Sequence, residues 1–111
     1  MLLAPEARWC RPPGGAWQDL RERHAARRIL VRLAEHQREA PGRGLSLAEL
    51  QEAGWPGERI LPDAASNRIY VTMNQLRKMG LKAWLTRGGE GYFLDPRLPV
   101  HYVAIEPSER G

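Results

Sequence analysis

The side chains best equipped for chemistry lie between residues 67 and 88. This stretch contains five cations and no acid, whereas exposed helices ordinarily mix both signs of charge. On a helical wheel, Ile69, Met73 and Leu76 share one arc, which predicts the side that turns to a core. The opposite arc collects Asn67, Arg68, Val71, Asn74, Gln75 and Lys78.

That polar arc has the chemistry of base recognition. Asn and Gln amides can pair bidentately with adenine and Arg with guanine, while Val can contact a thymine methyl group. Arg77 and Lys78, near the end of the segment, are better placed to reach phosphates. The plainer interpretation is a solvated helix face, which also favours Asn, Gln and Lys. The missing acids favour contact with a nucleic acid.

The charge of the whole chain is less informative than its distribution. The net charge is +4 over 111 residues, and net charge bears on association rather than on fold. Residues 39–66 carry two Arg against five acids, so the positive charge is concentrated in the stretch that follows. A hydrophobic fraction of 42% argues against intrinsic disorder. The single cysteine, Cys10, excludes an internal disulfide.

No combination of residues predicts catalysis or metal binding. The three histidines share no metal-ligand spacing with one another or with the cysteine: His24, His36, His101 and Cys10. Ser46 and Ser66 are interpreted as helix caps. Neither has a plausible general base that would activate it as a nucleophile. The glycine-rich run at residues 88–91 lacks the lysine and the helix start of a phosphate-binding loop. We therefore expect no enzyme, no cofactor and no metal.

The elements that must position the polar arc begin with a long helix. Prolines and glycines within residues 1–16 predict a flexible amino-terminal arm. From Trp17 to about His36 there is no Gly or Pro, and leucines recur at helical spacing, which predicts an amphipathic helix. Its many arginines are candidates for additional phosphate contacts, or for an ordinary solvated face.

Two shorter helices follow. Residues 46–49 form a capping box, in which Ser46 and Glu49 each satisfy the other's backbone N–H, and Gly54 closes the helix. Asp63 and Ser66 are both competent N-caps for the next helix. That helix is expected to run to Met79 and to end at Gly80 and Leu81.

The carboxy-terminal part has the pattern of strands. Residues 83–86 and 92–94 are β-prone runs around a glycine-rich tip, which predicts a hairpin. Residues 98–105 predict one more strand, preferably paired with that hairpin or else serving a partner or homodimer, before a frayed tail. No apolar run approaches the ~20 residues of a membrane span, and no signal peptide is recognisable. We expect a cytoplasmic protein.

This order of elements predicts an α+β fold. It is a winged helix-turn-helix, with three helices followed by a two- or three-stranded antiparallel wing. Residues 1–16 are the arm, residues 17–98 the domain, and residues 99–111 a carboxy-terminal extension.

The polar helix and the hairpin also resemble a known family. The run NRIYVTMNQLRK at residues 67–78 looks like the recognition helix of OmpR/PhoB-type winged-helix regulators, in its apolar spacing and its Leu-Arg-Lys close. The run LTRGGEGY at residues 85–92 resembles their wing, and residues 46–55 match more weakly. The resemblance spans roughly residues 17–95 and implies the DNA-binding output domain of a small bacterial transcription regulator.

The resemblance implies roles for helix residues Thr72, Asn74, Gln75 and Arg77, and for wing residues Thr86 and Tyr92. The sequence also departs from the family. That family opens with an antiparallel sheet, which the Pro and Gly content of residues 1–16 argues against.

Together these observations predict sequence-specific binding of double-stranded DNA, with residues 66–79 in the major groove and the wing at residues 83–94 on the backbone or minor groove. The expected DNA-binding residues are Asn67, Arg68, Val71, Thr72, Asn74, Gln75, Arg77, Lys78, Lys82, Thr86, Arg87 and Tyr92. A homodimer or a separate signalling protein is a further expected partner. The alternative is a winged helix used for protein binding, since fold does not fix use. RNA binding is a weaker third hypothesis.

Overall fold

The computed structural model describes residues 1–89, 91–104 and 106–107. Over these residues the chain is an α+β fold with three α-helices and two small sheets. The strands are β1 (Leu2–Leu3), β2 (Trp9–Arg11), β3 (Gln18–Asp19), β4 (Leu45–Ser46), β5 (Leu85–Gly88), β6 (Gly91–Leu94) and β7 (His101–Tyr102). The helices are α1 (His24–Glu39), α2 (Leu47–Gly54) and α3 (Pro62–Leu76), and a π-helical turn follows at Arg77–Leu81.

The first sheet is built from both ends of the described chain. Its strand order is β3-β2-β1-β7, with antiparallel pairing except between β1 and β7, which run parallel. The expectation that Pro and Gly keep residues 1–16 out of a sheet is wrong, and the segment is not a free arm. The prolines and glycines of this segment lie in the turns between its strands, where both residue types are favoured. Leu3 and Cys10 are almost fully buried.

Helix α1 begins later than the sequence predicts. The pattern suggested a start at Trp17, but residues 18–19 belong to β3. After this strand, the Asp19 carboxylate accepts hydrogen bonds from the backbone N–H and the guanidinium of Arg21, and this local turn competes with helix. From His24 onward the apolar face is buried as expected, and it comprises Ala26, Ile29, Leu30, Leu33 and Ala34.

Helix α2 confirms the predicted capping box. The Glu49 backbone N–H donates to Ser46 Oγ at 3.1 Å, and the Ser46 N–H donates to Glu49 Oε1 at 2.9 Å. Hydrogen bonding from the Ser46 backbone N–H, and then from the Ser46 side chain, lowers the pKa of the Glu49 carboxyl. The helix ends at Gly54, where an added Cβ would lie 3.0 Å from the Ile29 side chain. Helix α2 can therefore approach α1 closely at this point because Gly54 has no side chain.

Helix α3 starts before both predicted caps. Leu61 is the N-cap and Pro62 the first helical residue, so neither Asp63 nor Ser66 caps the helix. Proline suits that position because its fixed φ is helical and its missing N–H would have no partner there. The α-helix ends at Leu76, before the predicted Met79. The π-helical turn runs on to Leu81. Gly80 within it has a φ of 112°, which breaks the helical backbone at the glycine predicted to end the helix.

The predicted hairpin is confirmed, although its tip residue Glu90 lies outside the described residues. Strands β5 and β6 pair with Leu85 opposite Leu94, and β4 adds to β6 to give the order β4-β6-β5. Residues 83–84 precede the first strand.

A further strand also forms at β7, but the preferred pairing with the hairpin is wrong, since β7 pairs with β1. The Gln37 amide on α1 donates to the carbonyl oxygens of Asp95 and Leu98 and draws the chain away from the hairpin. Ile105 and residues 108–111, which include most of the predicted frayed tail, lie outside the described residues. Within the described chain, no helix combines the length and apolar character that crossing a bilayer demands.

Candidate nucleic-acid interface

Helix α3 separates a buried face from a polar one, as its periodicity predicts. Ile69, Met73 and Leu76 have no exposed surface, which fixes the inward side of the helix against the core. On the outward side Val71 is 47% exposed, and Asn67 is exposed one turn before it. The outward side therefore presents an amide and an apolar side chain to solvent together.

A cationic groove lies at the carboxyl end of this face. It is open, has a volume of about 250 Å³, and is lined by Asn74, Arg77, Lys78 and Lys82. Three of the four lining residues carry a positive charge and none is acidic. Arg77 Nη1 lies 3.5 Å from Asn74 Oδ1, at the long limit of a hydrogen bond. The groove has the charge and the donors to hold an anion such as a phosphate.

The hairpin brings a further cation to the same region. Arg87 on β5 is exposed and stands opposite Tyr92 on β6. The Arg87 guanidinium carbon lies 5.6 Å from the centroid of the Tyr92 ring, and that of Arg77 lies 5.7 Å from the same centroid. The last turn of α3 and the hairpin thus place their arginines against one aromatic ring.

Within the described residues, no carboxylate pairs with the charges of this surface. Across the described ranges, Arg77, Lys78, Lys82 and Arg87 form no ion pair. In contrast, the arginines of α1 and its approach are largely engaged. Arg21 pairs with an aspartate, Arg32 with a glutamate, and Arg27 and Arg28 donate to backbone carbonyls. What distinguishes α3 and the hairpin is therefore that four such cations lie near one another there, with no carboxylate partner among the described residues.

Arg68 differs from the other cations of the predicted site. Its Nη1 donates to Glu58 Oε1 at 3.1 Å, and its guanidinium lies 5.2 Å from the centroid of a Trp55 ring. The side chain is thus held toward the loop between α2 and α3. The sequence carries no signal for this contact, because Glu58 is ten residues away and belongs to no periodic pattern shared with the helix.

Two of the predicted contact residues are buried. Thr72 is 5% exposed and Tyr92 is 3% exposed, so their side chains offer little surface to a ligand. The helical spacing could have revealed the burial of Thr72, which lies three residues after Ile69 and four before Leu76. Of the remaining residues, Asn74, Gln75 and Thr86 are half-buried, while Lys78 and Lys82 are exposed.

Two exposed apolar side chains were not part of the predicted site. Leu61, at the N-cap of α3, is 79% exposed, and Tyr70 is 54% exposed beside the polar face. Leu61 precedes a proline, and Tyr70 is the neighbour of Val71 at the edge of the outward arc. Nine residues separate Leu61 from Tyr70, which places them on opposite sides of the helix, so they do not form one patch.

Other chemistry has little support in the described part of the chain. No group of three His, Cys, Asp or Glu side chains there could hold a metal ion. Burial raises the pKa of the Cys10 thiol to about 12, so this cysteine is protonated and unreactive at neutral pH. The cationic face of α3 and the hairpin remains the candidate site. Compared with known proteins, the chain matches no family model, no curated protein and no solved structure.

Proposed function

We propose that this protein is a winged helix-turn-helix that binds double-stranded DNA sequence-specifically, as a small transcription regulator of OmpR/PhoB type. Helices α2 and α3 are the helix-turn-helix, and the β5–β6 hairpin is the wing. The observation that carries the proposal is the continuous surface of Arg77, Lys78, Lys82 and Arg87. These cations are unpaired over the described residues and adjoin the amide side chains of α3.

The outward face of α3 is the base-reading element. A major groove about 12 Å wide admits one helix, and amide and apolar side chains discriminate between base pairs there. Asn67, Val71, Asn74 and Gln75 are the candidates, because they occupy the outward arc and are exposed or half-buried. Arg68 joins them only if it exchanges its carboxylate partner for a guanine. That exchange costs little, since exposed ion pairs contribute about 0–1 kcal/mol.

The four cations are assigned to the phosphate backbone. Neutralising four phosphates releases their counterions and gives a slope of about −3.6 for log K against log salt concentration. Affinity should then fall about 150-fold between 50 and 200 mM salt.

This assignment is tested by titrating the protein with a duplex at several salt concentrations. Replacing Arg87 with Ala should reduce the slope by about 0.9 and weaken binding to all sequences alike. The matched control is Arg38→Ala. Arg38 is exposed on α1 and lines a different groove beside β1 and β7. Absence of salt-sensitive binding to any duplex would overturn the proposal.

Sequence preference is tested separately, by selecting preferred sites from a random duplex pool. Asn74→Ala and Gln75→Ala should each lower discrimination at one or two base positions, at about 1–3 kcal/mol per lost bidentate pair. They should leave the salt slope unchanged. If these variants instead weaken binding equally on every sequence, their side chains do not read bases.

The second candidate function is a protein-binding module, and the exposed Tyr70, next to the exposed Val71, favours it. In that case Tyr70→Ser would abolish binding to a protein partner while duplex binding remains absent or unaffected. The same titration with single-stranded and double-stranded RNA distinguishes the RNA hypothesis. Tighter binding to RNA than to duplex DNA would support it.

A further inference from the structure

Tyr92 occupies an unusual position under the proposed DNA-binding surface. Its side chain is 3% exposed, and its backbone is paired on both sides, with Leu45 of β4 and with Arg87 of β5. The ring is therefore fixed by the sheet. Against this fixed ring lie two guanidiniums, that of Arg77 at 5.7 Å and that of Arg87 at 5.6 Å.

The ring holds these guanidiniums in a different way from a carboxylate. The face of an aromatic ring carries negative potential and attracts a cation within about 6 Å. A guanidinium held over a ring by its face keeps the N–H donors at its edge for other acceptors. Arg68 shows the contrast, because it gives a donor to Glu58. Arg77 and Arg87 are held without a carboxylate partner in the described chain.

The two arginines also come from different elements. Arg77 opens the π-helical turn at the end of α3, and Arg87 lies in the hairpin. Their shared ring is a direct side-chain link between the two elements. Long arginine side chains lose rotamer freedom when they bind, and ordering them beforehand reduces that cost.

We propose that Tyr92 is a positioning residue, which aims Arg77 and Arg87 together at the phosphate backbone so that helix and wing bind as one unit. The inference rests on the proposed function. It replaces the direct contact that the family resemblance implied for Tyr92 with an action through two arginines. Consequently the ring face matters for DNA affinity, while the tyrosine hydroxyl does not.

The experiment measures duplex affinity at fixed salt for variants of residue 92. Tyr92→Phe keeps the ring face and should bind within about 2-fold of the native protein. Tyr92→Leu removes the aromatic ring face on which both arginines lie. Loss of this contact should cost about 2- to 5-fold in affinity for each arginine, so the variant should bind about 5- to 25-fold more weakly than the native protein. In the Tyr92→Leu background, Arg77→Ala and Arg87→Ala should each cost less affinity than in the native protein.

A second variant keeps the test valid if the leucine disturbs folding. A phenylalanine carrying three ring fluorines preserves the shape of residue 92 while withdrawing electron density from the ring face. Affinity for this variant should fall toward that of Tyr92→Leu. Circular dichroism confirms that each variant is folded before binding is measured.

The outcomes separate the two ideas. If the native protein shows no salt-sensitive duplex binding, the proposed function fails and this inference with it. If it binds, but the fluorinated variant binds as tightly as Tyr92→Phe, only the positioning role is overturned. If Tyr92→Phe loses as much affinity as Tyr92→Leu, the hydroxyl contacts DNA directly and the inference is again overturned.

Discussion

Replacing Gly91 with alanine should destabilise the protein more than any other single methyl addition in the hairpin. Gly91 begins β6 and stands opposite Ser46 of β4 and Gly88 of β5. A Cβ at this position would overlap the Leu45 carbonyl oxygen and lie 2.6 Å from the Leu45 carbonyl carbon. Both atoms are backbone, so no side-chain rotation relieves the overlap and strand β4 must move.

The magnitude follows from what moving β4 disrupts. Two residue pairs join strand β4 to strand β6, and each backbone hydrogen bond between strands contributes about 1 kcal/mol net. Leu45 is fully buried, and exposing a leucine costs up to about 1.5–3 kcal/mol. Partial loss of these hydrogen bonds and of the burial of Leu45 predicts a decrease of about 3–4 kcal/mol in the free energy of unfolding. Most of the affinity for DNA should be lost as well if the hairpin is the wing.

Urea unfolding followed by circular dichroism measures this decrease, and Gly89→Ala is the matched control. Gly89 is two residues away in the hairpin, has φ +55°, and has no neighbouring atom within 4 Å of an added Cβ. Its substitution therefore costs only the left-handed backbone penalty of about 1–2 kcal/mol. A decrease for Gly91→Ala no larger than that for Gly89→Ala would refute the steric argument.

Three further predictions concern single side chains. Ser46→Ala should lower the free energy of unfolding by about 1 kcal/mol through loss of the N-cap, as measured by urea unfolding. Its control is Ser66→Ala in the interior of α3, which should be neutral or slightly stabilising in the same assay. Equal losses for the two variants would contradict the cap assignment. Cys10 should resist alkylation by iodoacetamide at pH 8 in the folded protein and react in urea, because burial raises its pKa to about 12; equal rates would contradict this. The hydrogen bonds from Arg97 lower the pKa of Asp95 to about 2. Their stabilisation is present above the unfolded pKa near 4 and is lost as pH falls toward 2. As pH falls over this interval, the urea midpoint of Asp95→Asn should therefore decrease less than that of the native protein. Equal decreases in the two midpoints would contradict a stabilising role for the Arg97–Asp95 hydrogen bonds.

Features set by neighbouring residues were predictable from the sequence. The capping box of α2 needs only residues 46–49, and the hairpin needs only two β-prone runs around glycines. The buried arc of α3 follows from helical periodicity. Likewise, the cationic face was visible as a stretch without acids, since charge segregation survives any fold that makes the stretch a helix and a hairpin.

Features set by distant residues were not predictable. Strands of two residues, such as β1 and β7, have no periodicity, and their pairing joins parts of the chain at opposite ends of the sequence. The start of α1 was misplaced because Asp19 forms a local turn that composition does not distinguish from a first helical turn. At the site, the meeting of Arg77 and Arg87 on Tyr92 depends on how α3 docks against the sheet. No spacing in the sequence encodes that docking.

The parallel pairing of β1 with β7 has a consequence for the order of folding. The His101 N–H donates to the Met1 carbonyl oxygen and the Val103 N–H to that of Leu3, each at 2.9 Å. Closing a loop of about a hundred residues costs about 4 kcal/mol of chain entropy, whereas the helices and the hairpin form contacts of low sequence separation. We therefore expect this ladder to form last. During synthesis on the ribosome, the edge of β1 stays open until almost the whole described chain has emerged.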